Sequence, residues 1–171
     1  MRTKLSSDRQ SASRRGFLGK LIAAGAAGTS TNAIAQPAAG AAGRVRGFDH
    51  VALPMQNTDG MLAFYRGLGF DVVEGPAACS VYVGDNMINF HRPVTWQRES
   101  FTLRAPAAKP PCGDLCFVWD GNAATLKAML DRAGAKLIEG PVVRQGGRRK
   151  AASSVYVRDP DGNLLEFMIY S

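Results

Sequence analysis

With 171 residues, 46% of them apolar and 20% charged, the chain has the size and balance of one globular domain, which excludes a multidomain assembly, global disorder and a multispan membrane protein. Its net charge of +7 would suggest an acidic partner, but six basic residues and one acidic residue fall within residues 1–35, leaving fifteen basic against thirteen acidic beyond them. That near balance excludes nucleic acid as a partner, because phosphate binding draws on a dense set of Lys and Arg.

At the start of the chain, Ser13-Arg14-Arg15-Gly16-Phe17-Leu18-Gly19-Lys20 leads into an Ala/Gly-rich stretch that closes on Ala33-Ile34-Ala35, a small-x-small cleavage pattern. Residues 1–35 resemble a twin-arginine signal peptide. The resemblance implies handling by the twin-arginine export machinery and a periplasmic or secreted product. The apolar part is too short and glycine-rich for a stable membrane anchor after cleavage. Residues 36–44, Gln-Pro-Ala-Ala-Gly-Ala-Ala-Gly-Arg, have little to bury and read as a flexible linker.

From there the local signals predict a strand over Phe48–Leu53 and a helix over Thr58–Leu68, with Leu62 and Tyr65 on one face and Asp59 in the first turn. Strands follow near 70–74, 79–84 and 87–91. A proline-rich connector spans about 93–112. A second series begins with a strand over Leu115–Trp119 and a helix from about Asn122 to Ala133, whose Leu126, Met129, Leu130 and Ala133 recur at three and four. Strands near 136–139, 153–158 and 164–170 complete it, with Asp159-Pro160-Asp161-Gly162 as the last turn.

The two series are copies. Glu74-Gly75-Pro76 recurs as Glu139-Gly140-Pro141, and Ser80-Val81-Tyr82-Val83 as Ser154-Val155-Tyr156-Val157. The predicted fold is α+β: two βαβββ modules, about 45–92 and 113–171, forming a curved mixed sheet around a cavity. The three cysteines, Cys79, Cys112 and Cys116, are odd in number and lack a C-x-x-C pair. They indicate neither a disulfide framework nor a zinc knuckle, though a single disulfide through Cys112 stays open.

This duplication, with Asp49-His50-Val51, Phe64-Tyr65 and Asp159-Pro160-Asp161-Gly162-Asn163-Leu164-Leu165-Glu166, resembles the vicinal-oxygen-chelate superfamily, the glyoxalase, bleomycin-resistance and dioxygenase type. Ile88-Asn89-Phe90-His91 and Asp114-Leu115-Cys116-Phe117 are similar to its glyoxalase-domain, virulence-protein-like subgroup. The resemblance implies one divalent metal, Zn, Fe, Mn, Ni or Co, held by residues on the first and last strands of the modules. His50 and Glu166 occupy two of those positions, Asp114 a third, and Asn89 aligns with Glu166. His91, two residues after Asn89, falls on the same strand face about 6–7 Å away, and with His50 and Glu166 it would complete a set of two imidazoles and a carboxylate. The expected ligands are therefore His50, His91 and Glu166, and the expected catalytic residues Asp114 and Glu166.

The leading functional reading is a lyase or isomerase that removes a proton alpha to a carbonyl of a small oxygenated compound, with the metal stabilising the developing enolate. A Fe(II) extradiol-type dioxygenase and a metal-free small-molecule binding or resistance protein are the alternatives. A homodimer is expected from the unpaired sheet edges of such modules. The basic run Arg144, Gly146-Gly147-Arg148-Arg149-Lys150 reads either as a solvated loop or as a cover for an anionic substrate. Tyr65, Tyr82, Tyr156 and Trp119 are open between core and cavity.

Overall fold

The computed structural model describes residues 43–171. The expected signal segment and most of the linker lie outside the described residues. Module one runs β1 (His50–Pro54), α1 (Thr58–Gly67), β2 (Asp71–Glu74), β3 (Ala78–Val83) and β4 (Asn86–His91). A short helix α2 (Pro93–Trp96) opens the connector, and module two follows as β5 (Asp114–Val118), α3 (Ala123–Arg132), β6 (Leu137–Gln145), β7 (Ala151–Arg158) and β8 (Leu164–Ile169). The two sheets have the same order, β1-β4-β3-β2 and β5-β8-β7-β6. In each, the first strand pairs parallel with the last and the remaining pairs are antiparallel. The predicted βαβββ duplication and α+β class are what the chain adopts.

Both long helices begin on an asparagine cap. The Asn57 side chain accepts from Gly60 N, and Asn122 forms a reciprocal capping box with Thr125. Strand β6 runs well past the predicted end at residue 139. It passes through Gly140-Pro141 with register irregularities between Leu137, Glu139 and Val142. An edge strand tolerates a proline and bulges that a central strand would not.

The core lies between the helix-bearing faces of the two modules. Val51, Leu53, Ile88 and Phe90 of module one and Leu115, Phe117, Leu165 and Phe167 of module two enter one apolar cluster with Tyr65, Met129 and Leu130. Phe70 meets Phe117 with ring centroids 5.2 Å apart. The helices approach closely at their ends, where a Cβ on Gly67 would stand 3.2 Å from Ala133 Cα. The modules are thus joined back to back, and because side chains alternate along a strand, the opposite face of each sheet points away from this shared core.

The Asp159-Pro160-Asp161-Gly162-Asn163 turn fastens the two modules together. Asp161 accepts from Gln56 N at 2.6 Å and Asn57 N at 2.8 Å, both just ahead of α1. Buried Asp159 accepts from Tyr65 Oη at 3.1 Å and from Asn163 N and Nδ2 at 2.9 and 2.8 Å. Asn163 Oδ1 in turn accepts from Cys112 N and Gly113 N at the entry to β5. Every oxygen of these buried side chains is used, as burial of polar groups demands.

Candidate metal and substrate site

The sequence-predicted site residues all project from the open sheet faces. On module one these are His50 on β1 and Asn89 and His91 on β4, since their neighbours Val51, Ile88 and Phe90 enter the core. On module two they are Asp114 on β5 and Glu166 on β8, flanked by core residues Leu115, Leu165 and Phe167. Residue two beyond His50 is Ala52, which pairs with Asn89; residue two beyond Asp114 is Cys116, which pairs with Glu166. By strand register, therefore, His50 corresponds to Asp114 and Asn89 to Glu166.

His91 does not belong to this set. It lies opposite Pro54, four residues along β1 from His50, which at about 3.3 Å per residue is about 13 Å, too far for both imidazoles to reach one ion. Parity correctly assigned its face, but only the register fixes its height. Its ring instead stands edge-on to Phe101 with centroids 5.0 Å apart, and burial lowers its pKa. With Ala52, Pro54, Trp96 and Arg104 it lines a small cleft beneath the connector.

The remaining residues are divided between the two faces. Among the described residues of one chain, no three His, Cys, Asp or Glu side chains stand close enough to hold a metal ion. Back-to-back packing is the physical reason, because it keeps the face that carries His50 and Asn89 apart from the face that carries Asp114 and Glu166. The first strands β1 and β5 are both sheet edges without a partner on one side.

Each half is locally ordered. His50 Nδ1 lies 2.6 Å from Asp49 Oδ1, which turns Nε2 outward as the free imidazole nitrogen when Nδ1 carries the proton. The Asn86 side chain donates to Phe48 O and holds the approach to β1. On module two, Tyr156 Oη donates to Glu166 Oε1 at 2.9 Å across the β7–β8 pair. Burial, followed by the hydrogen bond to Glu166, raises the Tyr156 pKa. Cys116, a residue that is exposed overall, flanks Glu166 on the other side, its thiol pushed up to about 12 by partial burial first and then by the Glu166 and Asp114 carboxylates.

Two of these neighbours were not among the predicted site residues. The sequence leaves Tyr156 open between core and cavity, and gives Cys116 only as one of three cysteines without a C-x-x-C pair. The identical Ser-Val-Tyr-Val segments obscure the relationship. Tyr156 pairs with Glu166, but Tyr82 pairs with Met87, and Ser80 stands opposite Asn89. The repeated segments are two residues out of step with the strands that follow, a shift that preserves the face and changes the neighbour.

Of the other aromatic residues, Tyr65 is core and exposed Tyr82 lies on the open face, while Trp119 packs against the core with its Nε1 donating to Thr125 Oγ1. The three cysteines are free, with Cys79 buried and Cys112 and Cys116 exposed. The basic run forms the end of the β6–β7 hairpin.

The sequence profile of the Glyoxalase/Bleomycin resistance protein/Dioxygenase superfamily matches residues 47–167. The chain is 35% identical over 127 residues to the glyoxalase domain-containing protein RDO1 of Mycosarcoma maydis, covering 74% of this chain and 69% of that protein. It is 32% identical over 124 residues to virulence protein STM3117 of Salmonella typhimurium, covering 71% and 83%. The crystal structure of STM3117 superposes with a TM-score of 0.66 at 30% identity, over 75% of this chain and 99% of that one. An integron cassette protein of V. cholerae gives 0.66 at 31% identity, over 75% and 98%. A lactoylglutathione lyase from Agrobacterium tumefaciens, with a TM-score of 0.53 at 22% identity over 72% of this chain and 92% of its own, shares the fold. This chain belongs to the glyoxalase/bleomycin resistance protein/dioxygenase superfamily, the vicinal-oxygen-chelate proteins.

Proposed function

We propose that the protein is a metal-dependent lyase or isomerase acting on a small oxygenated carbonyl compound, and that its site is completed in a homodimer by module one of one copy facing module two of the other. The observation that carries this reading is the correspondence of His50 with Asp114 and of Asn89 with Glu166 on two open faces that one chain keeps apart. Two copies related by a twofold axis bring each face against its complement twice and cover the bare β1 and β5 edges. Export by the twin-arginine route to the periplasm or beyond is part of the same reading.

His50 Nε2, a Glu166 oxygen and the Asn89 amide oxygen would hold the cation, a mixed nitrogen and oxygen set suited to Zn, Fe, Mn, Ni or Co. The cation would supply charge to a carbonyl oxygen and its neighbouring oxygen as electron density builds there. Asp114 forms no ion pair among the described residues and takes the proton alpha to the carbonyl. Tyr156 keeps Glu166 Oε1 engaged, so that the other oxygen turns outward. Without His91 the set has one imidazole, whereas the facial triad of non-haem Fe(II) oxygenases has two imidazoles and one carboxylate, which favours the lyase or isomerase over the extradiol dioxygenase.

The test is metal content per chain of natively exported protein beside His50→Ala and Glu166→Ala variants. Near one equivalent in wild type, lost in both variants, is expected. Wild type that remains empty after incubation with Fe, Mn, Ni, Co or Zn overturns the reading and leaves a metal-free binding protein.

A further inference from the structure

On the core side of the module-two sheet, a cleft of about 290 Å³ opens where the end of α1 meets β5. Buried Leu68, Met129 and Phe167 form its floor, and partly buried Phe70, Phe117 and Trp119 its walls. Leu68 and Phe70 come from module one and the others from module two, so the cleft lies in the seam between the modules. Phe117 and Phe167 follow Cys116 and Glu166 along their strands and point to the opposite face. The thickness of the sheet therefore separates this cleft from Glu166.

Three features fit the cleft to a ligand. A packed interior leaves few voids larger than one water, and a water held here would need several polar partners, which the apolar walls do not offer. Trp119 is fixed in place: its Nε1 donates to Thr125 Oγ1 at 3.2 Å, and a Cβ at Gly121 would stand only 2.6 Å from that nitrogen. The one charged residue along the cleft is Asp120, exposed beside Trp119, and among the described residues no basic side chain pairs with it. An unanswered carboxylate beside phenyl rings and an indole complements a cation that carries an aromatic ring. The rings take up its apolar part, their negative faces attract its charge, and Asp120 supplies the counter-ion.

We propose that this cleft is a second ligand site, which binds a small aromatic ammonium compound, an arylalkylamine, with its ring against Phe70, Phe117 and Trp119 and its ammonium on the Asp120 carboxylate. The volume stands at the low end of small-molecule sites, about 300–1,000 Å³, which limits the ligand to one ring and a short chain. Such a ligand touches both modules, so its binding stabilises their packing by mass action. The site does not depend on whether the open faces take up a metal.

The experiment is titration of phenethylammonium, and of its neutral counterpart phenethyl alcohol, into the full chain, followed through the indole N–H signals in two-dimensional NMR. Trp119 and Trp96 are the two tryptophans of the chain, and Trp96 lies on α2, outside the cleft. A saturable shift of the Trp119 signal is expected with that of Trp96 unmoved, and phenethyl alcohol should bind roughly fivefold more weakly. Asp120→Asn should bring the two compounds to equal affinity, whereas Asp59→Asn, at the opposite end of α1 from Leu68, should keep the preference. No saturable shift at Trp119, or like shifts at both tryptophans, overturns the proposal. Phenethyl alcohol binding as tightly as the ammonium in wild type also overturns it, and leaves a neutral apolar occupant. A preference that survives in Asp120→Asn, or that Asp59→Asn abolishes as well, overturns the role of Asp120 and with it the cationic ligand.

Discussion

The hydroxyl of Tyr156 donates to Oε1 of Glu166 at 2.9 Å, from the residue directly opposite on the neighbouring strand. This bond fixes one carboxylate oxygen and therefore the direction of the other, the role that an outer partner plays for a metal ligand. Replacing Tyr156 with Phe removes the hydroxyl and keeps the ring beneath Arg144. Metal affinity is expected to fall roughly 10–100-fold with little change in unfolding midpoint. Competition with a chromogenic chelator measures it, and unchanged affinity would make the bond merely structural.

The turn that fastens the modules should govern stability. Asn163 is 1% exposed and bonds both Asp159 and the backbone of Cys112 and Gly113. Asn163→Ala leaves several buried groups unsatisfied, and a loss of about 2–4 kcal/mol is expected in urea unfolding. Asp161→Ala, at the more exposed contact to Gln56 and Asn57, should lose less, about 1–2 kcal/mol.

The same turn contains a pH-dependent element. Burial lifts the Asp159 carboxyl above its ordinary value of 3.8, with Asp161 adding to the rise, against the hydrogen bonds from Asn163 and Tyr65 that lower it. A carboxyl whose pKa is higher in the folded state gives stability that is complete below the ordinary value and is lost as pH rises through the folded value. The stability deficit of Asp159→Asn relative to wild type should therefore shrink between about pH 3 and about pH 7. Paired urea titrations at the two pH values measure it, and a deficit that grows toward neutral pH would contradict the assignment.

The close approach of the helices gives a packing prediction. Because a Cβ at position 67 would lie 3.2 Å from Ala133 Cα, Gly67→Val forces the modules apart at the ends of α1 and α3. A cost of about 1–3 kcal/mol is expected from overpacking, read as a lowered thermal midpoint in calorimetry.

The sequence made the module order legible because apolar periodicity and asparagine caps act locally. Thr58–Gly67 and Ala123–Arg132 begin and end within a residue or two of the predicted helices. It also identified which residues share a sheet face, since parity is a property of the strand alone. Register is different. It depends on the hairpin and crossover lengths around the strand, and so His91 looked like a partner for His50 although it pairs with Pro54. The Tyr156–Glu166 bond was hidden for the same reason, behind a repeat that aligns Tyr156 with Tyr82. How the modules meet was not legible either, because a βαβββ unit has two apolar-capable faces and only tertiary packing selects the one buried within the chain.

The central claim is that His50 of one copy and Glu166 of another serve one site. The most direct measurement is metal binding after His50→Ala and Glu166→Ala proteins, each inactive for metal, are unfolded together, refolded and mixed in equal amounts. Each mixed dimer would carry one doubly damaged site and one intact site, so random assortment predicts recovery of about a quarter of the wild-type metal content. Recovery at that level supports a site shared between copies. No recovery, from a mixture in which mixed dimers are demonstrated by mass spectrometry, contradicts it.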